Sequence, residues 1–155
     1  MSTAIRASKP SLNSAKALLL DNQLCFAMYS TSLAMTKLYK PLLADLGLTY
    51  PQYLVMLVLW ETDALTVSAL GERLYLDSGT LTPLLKRMEQ SGLLARVRSA
   101  QDERRVEVSL THVGRKLKAR AAAVPGCVLE ASQCSIAELK ALTAELQGLR
   151  ERLNA

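Results

Sequence analysis

Leu81, Leu84, Leu85 and Met88 stand at i, i+3, i+4 and i+7, the spacing that gathers side chains on one face of an α-helix. The helix they predict is tightly bounded. Asp77-Ser78-Gly79 in front of it is a turn and cap signal, and Gly92 behind it is a stop. A shorter amphipathic stretch, Thr66 to Leu76, comes just before. Thr66 can cap it, and Val67, Leu70 and Leu74 line one face. Two short helices joined by a tight turn predict a helix-turn-helix. Leu94 to Arg98 and Val106 to Leu110 then read as strands. The second alternates cleanly, with Val106, Val108 and Leu110 on one side and Glu107 and Ser109 on the other. The polar, charged segment Ser99 to Arg105 lies between them, which predicts a β-hairpin with a basic tip, a wing.

The rest of the chain reads as helix. Ser14 to Leu46 is one long apolar-periodic stretch, with Pro41 as a possible kink and Gly47 as its cap. Tyr50 to Glu61 is a second helix with Pro51 in its first turn. Leu54, Leu57 and Val58 form its stripe, and Tyr53 and Trp60 read as core. Thr111 can cap a helix running to about Cys134, which Pro125-Gly126 should kink or interrupt. Ser135 and Glu138 form a capping box, and the leucines at 139, 142, 146, 149 and 153 make a seam that wants a partner helix. The expected fold is mainly α with a small β-hairpin wing. Residues 1–13 read as a flexible arm, 47–111 as the winged helix-turn-helix, and 14–46 with 112–155 as dimerisation helices of one intertwined domain.

Composition narrows the function. The chain has 155 residues, half of them apolar, and a net charge of +5, which suits a polyanionic partner. No apolar run reaches bilayer-spanning length and no secretory leader is recognisable, so the expectation is a cytoplasmic protein without a membrane partner. Three cysteines, Cys25, Cys127 and Cys134, form no CxxC pair, and His112 is the single histidine. No metal, nucleotide or other cofactor site is indicated. On residue type alone the thiols read as free, buried and inert. His112 is given no role, and Tyr29 reads as packing.

The polar face of the 78–91 helix carries Thr80, Thr82, Pro83, Lys86, Arg87 and Gln90. Hydroxyls and amides reach base edges, while Lys and Arg neutralise phosphates. Pro83 removes a backbone donor and leaves a carbonyl near Gly79 unpaired, a cost tolerated in the first turns. In the hairpin, Asp102 can hold the loop shape while Arg104, with Arg105 beside it, projects in a way that fits a minor groove; on these residues alone a solvated charged turn is the stronger reading.

The run Asp102-Glu-Arg104-Arg-Val-Glu-Val-Ser-Leu110-Thr111 with Gly114 resembles the wing signature of the MarR family of winged-helix repressors. Leu70-Gly-Glu-Arg-Leu74 and Leu81-Thr-Pro-Leu-Leu-Lys-Arg87 fit the same family. The resemblance implies a symmetric dimer, built from the terminal helices, on an inverted-repeat operator in duplex DNA. It also implies that Ser78, Thr80, Thr82, Lys86 and Arg87 face DNA and that Arg104 enters the minor groove.

Asp21-Asn-Gln-Leu-Cys25-Phe-Ala-Met-Tyr29, Lys37-Leu-Tyr39-Lys-Pro41 and Leu48-Thr-Tyr50-Pro-Gln-Tyr53 resemble the organic-hydroperoxide-sensing branch of that family. This implies that Cys25 is the peroxidatic thiol and that Tyr39 and Tyr50 of the other subunit hydrogen-bond it. Fourteen residues of continuous helix span about 21 Å. If Cys25 and Tyr39 share a site, they therefore come from different protomers. A resolving cysteine is implied as well. Its usual place falls at Glu130, with Cys127 and Cys134 about one turn to either side, and Cys134 is preferred because helix ends open cheaply. The expected function is a repressor released from its operator when an organic hydroperoxide oxidises Cys25 and an intersubunit disulfide forms; it is not an enzyme. Alternatives are a MarR-type repressor of a small non-covalent aromatic ligand, a thiol peroxidase, and a nucleoid protein.

Overall fold

The computed structural model describes residues 14–155; the arm expected over 1–13 lies outside them. The chain divides into two compact units, one ending at Lys37 and one running from Leu38 to Ala155.

In the first unit, the long helix expected from Ser14 to Leu46 is interrupted. A short helix α1 (Ser14–Ala17) and a 3-10 turn (Leu20–Asn22) precede α2 (Leu24–Ala44). Side-chain amides take over carbonyls that a continuous helix would have paired. Asn22 Nδ2 donates to the Lys16 carbonyl at 2.8 Å. Gln23 Nε2 donates to those of Ala17 at 2.6 Å and Leu19 at 3.0 Å. Short amide side chains compete with the helical ladder in this way. Leu18, Leu24, Met28 and Leu33 are exposed in this unit.

Helix α2 runs through Pro41 to its end at Ala44. The missing donor falls in the last turn, where only one hydrogen bond is lost. Gly47 then adopts φ +68°, and the Leu48 N–H returns to the Leu43 carbonyl at 3.1 Å, closing the helix end. Gly92, the other expected stop, has φ +76°.

In the second unit, α3 (Tyr50–Glu61) begins on a reciprocal capping box between Thr49 and Gln52. It packs against α4 (Val67–Leu74), α5 (Ser78–Gln90) and α6 (His112–Ala121). Tyr53, Val55, Met56, Val58 and Leu59 are buried, whereas Leu57 is 40% exposed. The expected Leu54-Leu57-Val58 stripe is therefore wrong. Leu57 instead faces an open cleft that it lines with Trp60, Ala121 and Pro125. Trp60 is half-buried, and its indole N–H donates to the Gly114 carbonyl at 3.0 Å.

Leu81, Leu84, Leu85 and Met88 of α5 are all buried, as their spacing requires. The wing strands are β2 (Leu94–Arg98) and β3 (Val106–Leu110), with Leu94 opposite Leu110 and Arg98 opposite Val106. A two-residue strand β1 (Leu65–Thr66) pairs with the free side of β3, so the sheet has three antiparallel strands in the order β1-β3-β2. At Gly114 in α6, a Cβ would collide with the Leu93 carbonyl oxygen. Only glycine lets the helix approach the start of the wing this closely.

The expected helix from Thr111 to Cys134 is two helices, α6 and α7 (Val124–Ser132), with Pro125 in the first turn of α7. Helix α7 ends at Ser132, and Gln133 is left-handed at φ 55°. Cys134 thus lies beyond the helix that carries Cys127. The Ser135–Glu138 capping box opens α8 (Ile136–Leu153) as expected. No residue of α8 is buried.

Candidate functional site

The outward face of α5 is open along its whole length. Ser78, Thr80, Thr82, Pro83, Lys86 and Arg87 are all exposed. Asp77 starts the helix by accepting from the Thr80 N–H at 2.8 Å. The Thr80 N–H, and then the Thr80 hydroxyl, hold the Asp77 carboxyl below its ordinary range. The cap therefore stays charged at the positive end of the helix. Pro83 sits inside α5 without breaking it.

The wing is braced at both ends. At the tip, Asp102 Oδ1 accepts from the Arg104 N–H at 3.0 Å, and the Asp102 carbonyl accepts from the Arg105 N–H at 2.9 Å. This turn leaves both arginine side chains exposed. At the base, Arg96 donates to Glu89 at the end of α5. Its backbone N–H reaches Oε1 at 3.1 Å, and its guanidinium reaches Oε2 at 2.9 Å. The Arg96 guanidinium is the main cause of the lowered Glu89 pKa, with the Arg96 N–H second. Arg96 therefore ties wing to helix and is not one of the free cations of the basic hairpin.

Arg104 and Arg105 line one side of a cleft whose other walls include Thr66, Ser68, Ser78 and Thr82. The structure thus gathers the wing arginines and the start of α5 into one polar groove. Thr66 and Ser68 belong to it too. The sequence marks Thr66 only as a cap, and Ser68 carries no pattern at all.

The thiol residues divide differently. Cys25, on α2, and Cys127, on α7, are exposed, and Cys134 is half-buried; all three are free thiols. Buried inert thiols are therefore not what the chain presents. Cys134 donates its thiol hydrogen to the Ser132 carbonyl at 3.4 Å, and its N–H is accepted by Ser132 Oγ at 3.2 Å.

Tyr39 and Tyr50 form an aromatic cluster with Tyr53. The ring centroids are 4.9 Å apart for Tyr39–Tyr50, 5.8 Å for Tyr39–Tyr53 and 6.4 Å for Tyr50–Tyr53. Burial raises all three phenol pKa values. At Tyr39 the neighbouring Tyr50 and Tyr53 raise it further, and at Tyr53 so does Tyr50. These hydroxyls stay protonated and remain hydrogen-bond donors. The sequence points to Tyr39 and Tyr50 but treats Tyr53 as ordinary core. Its place three residues after Tyr50 on one helix is the signal that could have found it. Among the described residues no cluster of His, Cys, Asp and Glu could hold a metal, and no helix is long and apolar enough to cross a membrane.

A helix-turn-helix whose second helix has an exposed polar face, with a braced basic wing and a cleft between them, defines a winged-helix DNA-binding protein. Comparison with known proteins narrows the class. Residues 37–121 match the family described as transcriptional regulator SarA/Rot. The organic hydroperoxide resistance transcriptional regulator of Bacillus subtilis is 56% identical over 135 residues, 87% of this chain and 92% of that protein. AbfR, solved reduced and bound to DNA, matches with a TM-score of 0.75 and 37% identity over 92% of this chain and 99% of its own. AbfR with its disulfide formed matches with a TM-score of 0.60 and 35% identity over 91% of this chain and 94% of its own. The chain belongs to the MarR family of winged-helix transcriptional regulators, in the branch that includes the organic hydroperoxide resistance regulators. Such proteins are regulators of transcription, not enzymes.

Proposed function

We propose that the protein is a dimeric repressor that an organic hydroperoxide releases from its operator by oxidising Cys25. The observation that carries this reading is that the chain holds both an exposed thiol, Cys25, and, separately, a cluster of phenols kept in their donor form. The names of its relatives support it. One is an organic hydroperoxide resistance regulator, and another has been solved reduced on DNA and with a disulfide formed.

Cys25 and Tyr39 both lie on α2, fourteen residues apart, about 21 Å along a helix axis. The phenols that serve Cys25 therefore belong to a second copy of the chain. Exposed apolar side chains on residues 18–33 and along α8 suit that copy, burying on assembly what one chain leaves in water. Helices in 14–46 and 112–155 are the dimerising parts in this reading, and 47–111 is the DNA-reading part.

Tyr39 and Tyr50 donate to the sulfur and favour its anion. The thiolate attacks the outer oxygen of ROOH. An S–O bond forms as the O–O bond breaks, and the alkoxide leaves and takes a proton to become ROH. The product, Cys25–SOH, condenses with a second thiol, giving a disulfide and water. Cys127 and Cys134 are the resolving candidates, and the greater exposure of Cys127 favours it. A disulfide between chains moves the two reading helices apart from their half-site spacing, which costs the complex enough to empty the operator. In the bound state Ser78, Thr80, Thr82, Pro83, Lys86 and Arg87 lie along the major groove of an inverted repeat, and Arg104 and Arg105 reach the minor groove beside it.

The test is a peroxide titration of the DNA complex. Cys25→Ser is expected to bind DNA as the parent does and to stay bound when cumene hydroperoxide is added. Release of that variant by peroxide would sink the reading. Non-reducing peptide mapping then names the partner of Cys25. A second reading rests on an apolar cleft lined by Tyr53, Leu57, Trp60, Ala121 and Pro125, with Lys118 at its edge. It suits a small aromatic effector, and release by such a molecule that persists with all three cysteines replaced would favour it.

A further inference from the structure

We infer that Tyr53 is a positioning residue for the thiol site, holding the rings of Tyr39 and Tyr50 where their hydroxyls can serve Cys25. The inference rests on the reading of Cys25 as the peroxidatic thiol. The geometry is asymmetric. Tyr53 is 3% exposed, while Tyr39 and Tyr50 are only half-buried. Its ring touches both others, at tilts of 41° and 42°. Tyr50 is the first residue of α3, at the edge of the helix, and Tyr39 comes from a different helix. Neither side chain is fixed by burial of its own. The one ring in the group locked in the core is the one they share as a neighbour.

Tyr53 also has a second neighbourhood. It lines the apolar cleft with Leu57 and Trp60 of α3 and with Ala121, Ala122 and Pro125, the last three of which bracket the break between α6 and α7. Tyr53 therefore stands between the phenol pair and the joint that leads to both resolving candidates. Tilted aromatic pairs hold a preferred angle and distance, which aliphatic contacts of equal area do not impose. A ring at position 53 aims its neighbours, and a flexible aliphatic side chain fills the same space without aiming them. The two hydroxyls nearest the thiol supply the hydrogen bonds; Tyr53 touches neither sulfur nor peroxide in this account.

The experiment compares Tyr53→Phe, Tyr53→Leu and Tyr53→Met in the full chain carrying Cys127→Ser and Cys134→Ser, so that only the first oxidation is observed. Two quantities are read: the pH titration of the Cys25 thiolate by its ultraviolet absorbance, and the second-order rate with cumene hydroperoxide at neutral pH. The Phe variant keeps the ring and should stay within about twofold of the parent in rate, with the same thiolate titration. Leu and Met should slow oxidation about tenfold and shift the titration upward by about one unit. Reduced-state DNA affinity should not move. Unchanged rate and titration in a folded Leu or Met variant would overturn the inference. So would a Phe variant as slow as the Leu variant, because the hydroxyl and not the ring would then be responsible. The Met variant, closer in volume, decides the matter if the Leu variant does not fold. A parent Cys25 that does not react with the peroxide removes the sensor reading itself, whereas a reactive Cys25 indifferent to position 53 removes only this inference.

Discussion

Helix α5 and helix α8 are both amphipathic in sequence, and the chain treats them in opposite ways. In α5, Leu81, Leu84, Leu85 and Met88 are buried by the same chain that carries them. In α8, no residue is buried, and Leu142, Leu146 and Leu153 are exposed. The winged helix-turn-helix thus completes its core within one chain. The last helix presents an apolar seam that the chain itself covers only in part, Leu139 and Leu149 being half-buried. A seam at three-and-four spacing that its own chain covers only in part is the pattern expected of a helix made for another subunit.

That contrast can be broken or sharpened by measurement. The largest effect should come from Leu85→Ala. Removing a fully buried side chain from the α5 core should cost roughly 2–5 kcal/mol, read by denaturant unfolding. A cost below 1 kcal/mol would mean that α5 is not anchored as described. Next is the pair Leu142→Lys and Leu146→Lys. If α8 is a subunit interface, this variant should sediment as a monomer at micromolar concentration and bind DNA about tenfold more weakly, since half-sites are then held one at a time. An unchanged dimer would remove α8 from the interface. Arg104→Ala should leave stability alone and weaken DNA binding by about 1–3 kcal/mol, the discrimination of a good base contact. Equal binding by fluorescence anisotropy would take the wing arginine out of the complex.

The smallest effect is on pH. The carboxyls of Asp77, capping α5, and Glu138, capping α8, titrate below their ordinary range because backbone and side-chain donors hold the anions. A carboxyl with a lowered folded pKa contributes stability above its unfolded pKa and loses it as pH falls through the folded value. Melting temperature should therefore fall as pH drops below about 4. Asp77→Asn should flatten that fall, and a slope identical to the parent would show that the cap contributes nothing to acid sensitivity.

Much of the fold was legible because local rules and tertiary packing agree. The bounds of α3, β2 and β3 follow from capping residues and alternation that the packing then uses. Strand β1 was not legible. Leu65 and Thr66 are too short a run to carry a period, and only the open side of β3 makes them a strand. The break before α2 was hidden for another reason: Asn22 and Gln23 look like ordinary helix residues until their amides find carbonyls behind them. At the site, exposed positions of α5 could be read from spacing alone. The clamp of Arg96 on Glu89 could not, because no periodicity links the end of a helix to a strand seven residues on. Nor could the grouping of Tyr39 with Tyr50 and Tyr53, which depends on how α2 and α3 meet.

The clean division of α5 has an evolutionary consequence. The letters that build the scaffold, at 81, 84, 85 and 88, are not the letters that face outward, at 80, 82, 83, 86 and 87. Drift on one side need not disturb the other. If the outward face reads DNA as proposed, a lineage carrying this helix can move from one promoter to another by a handful of surface changes, without renegotiating its architecture.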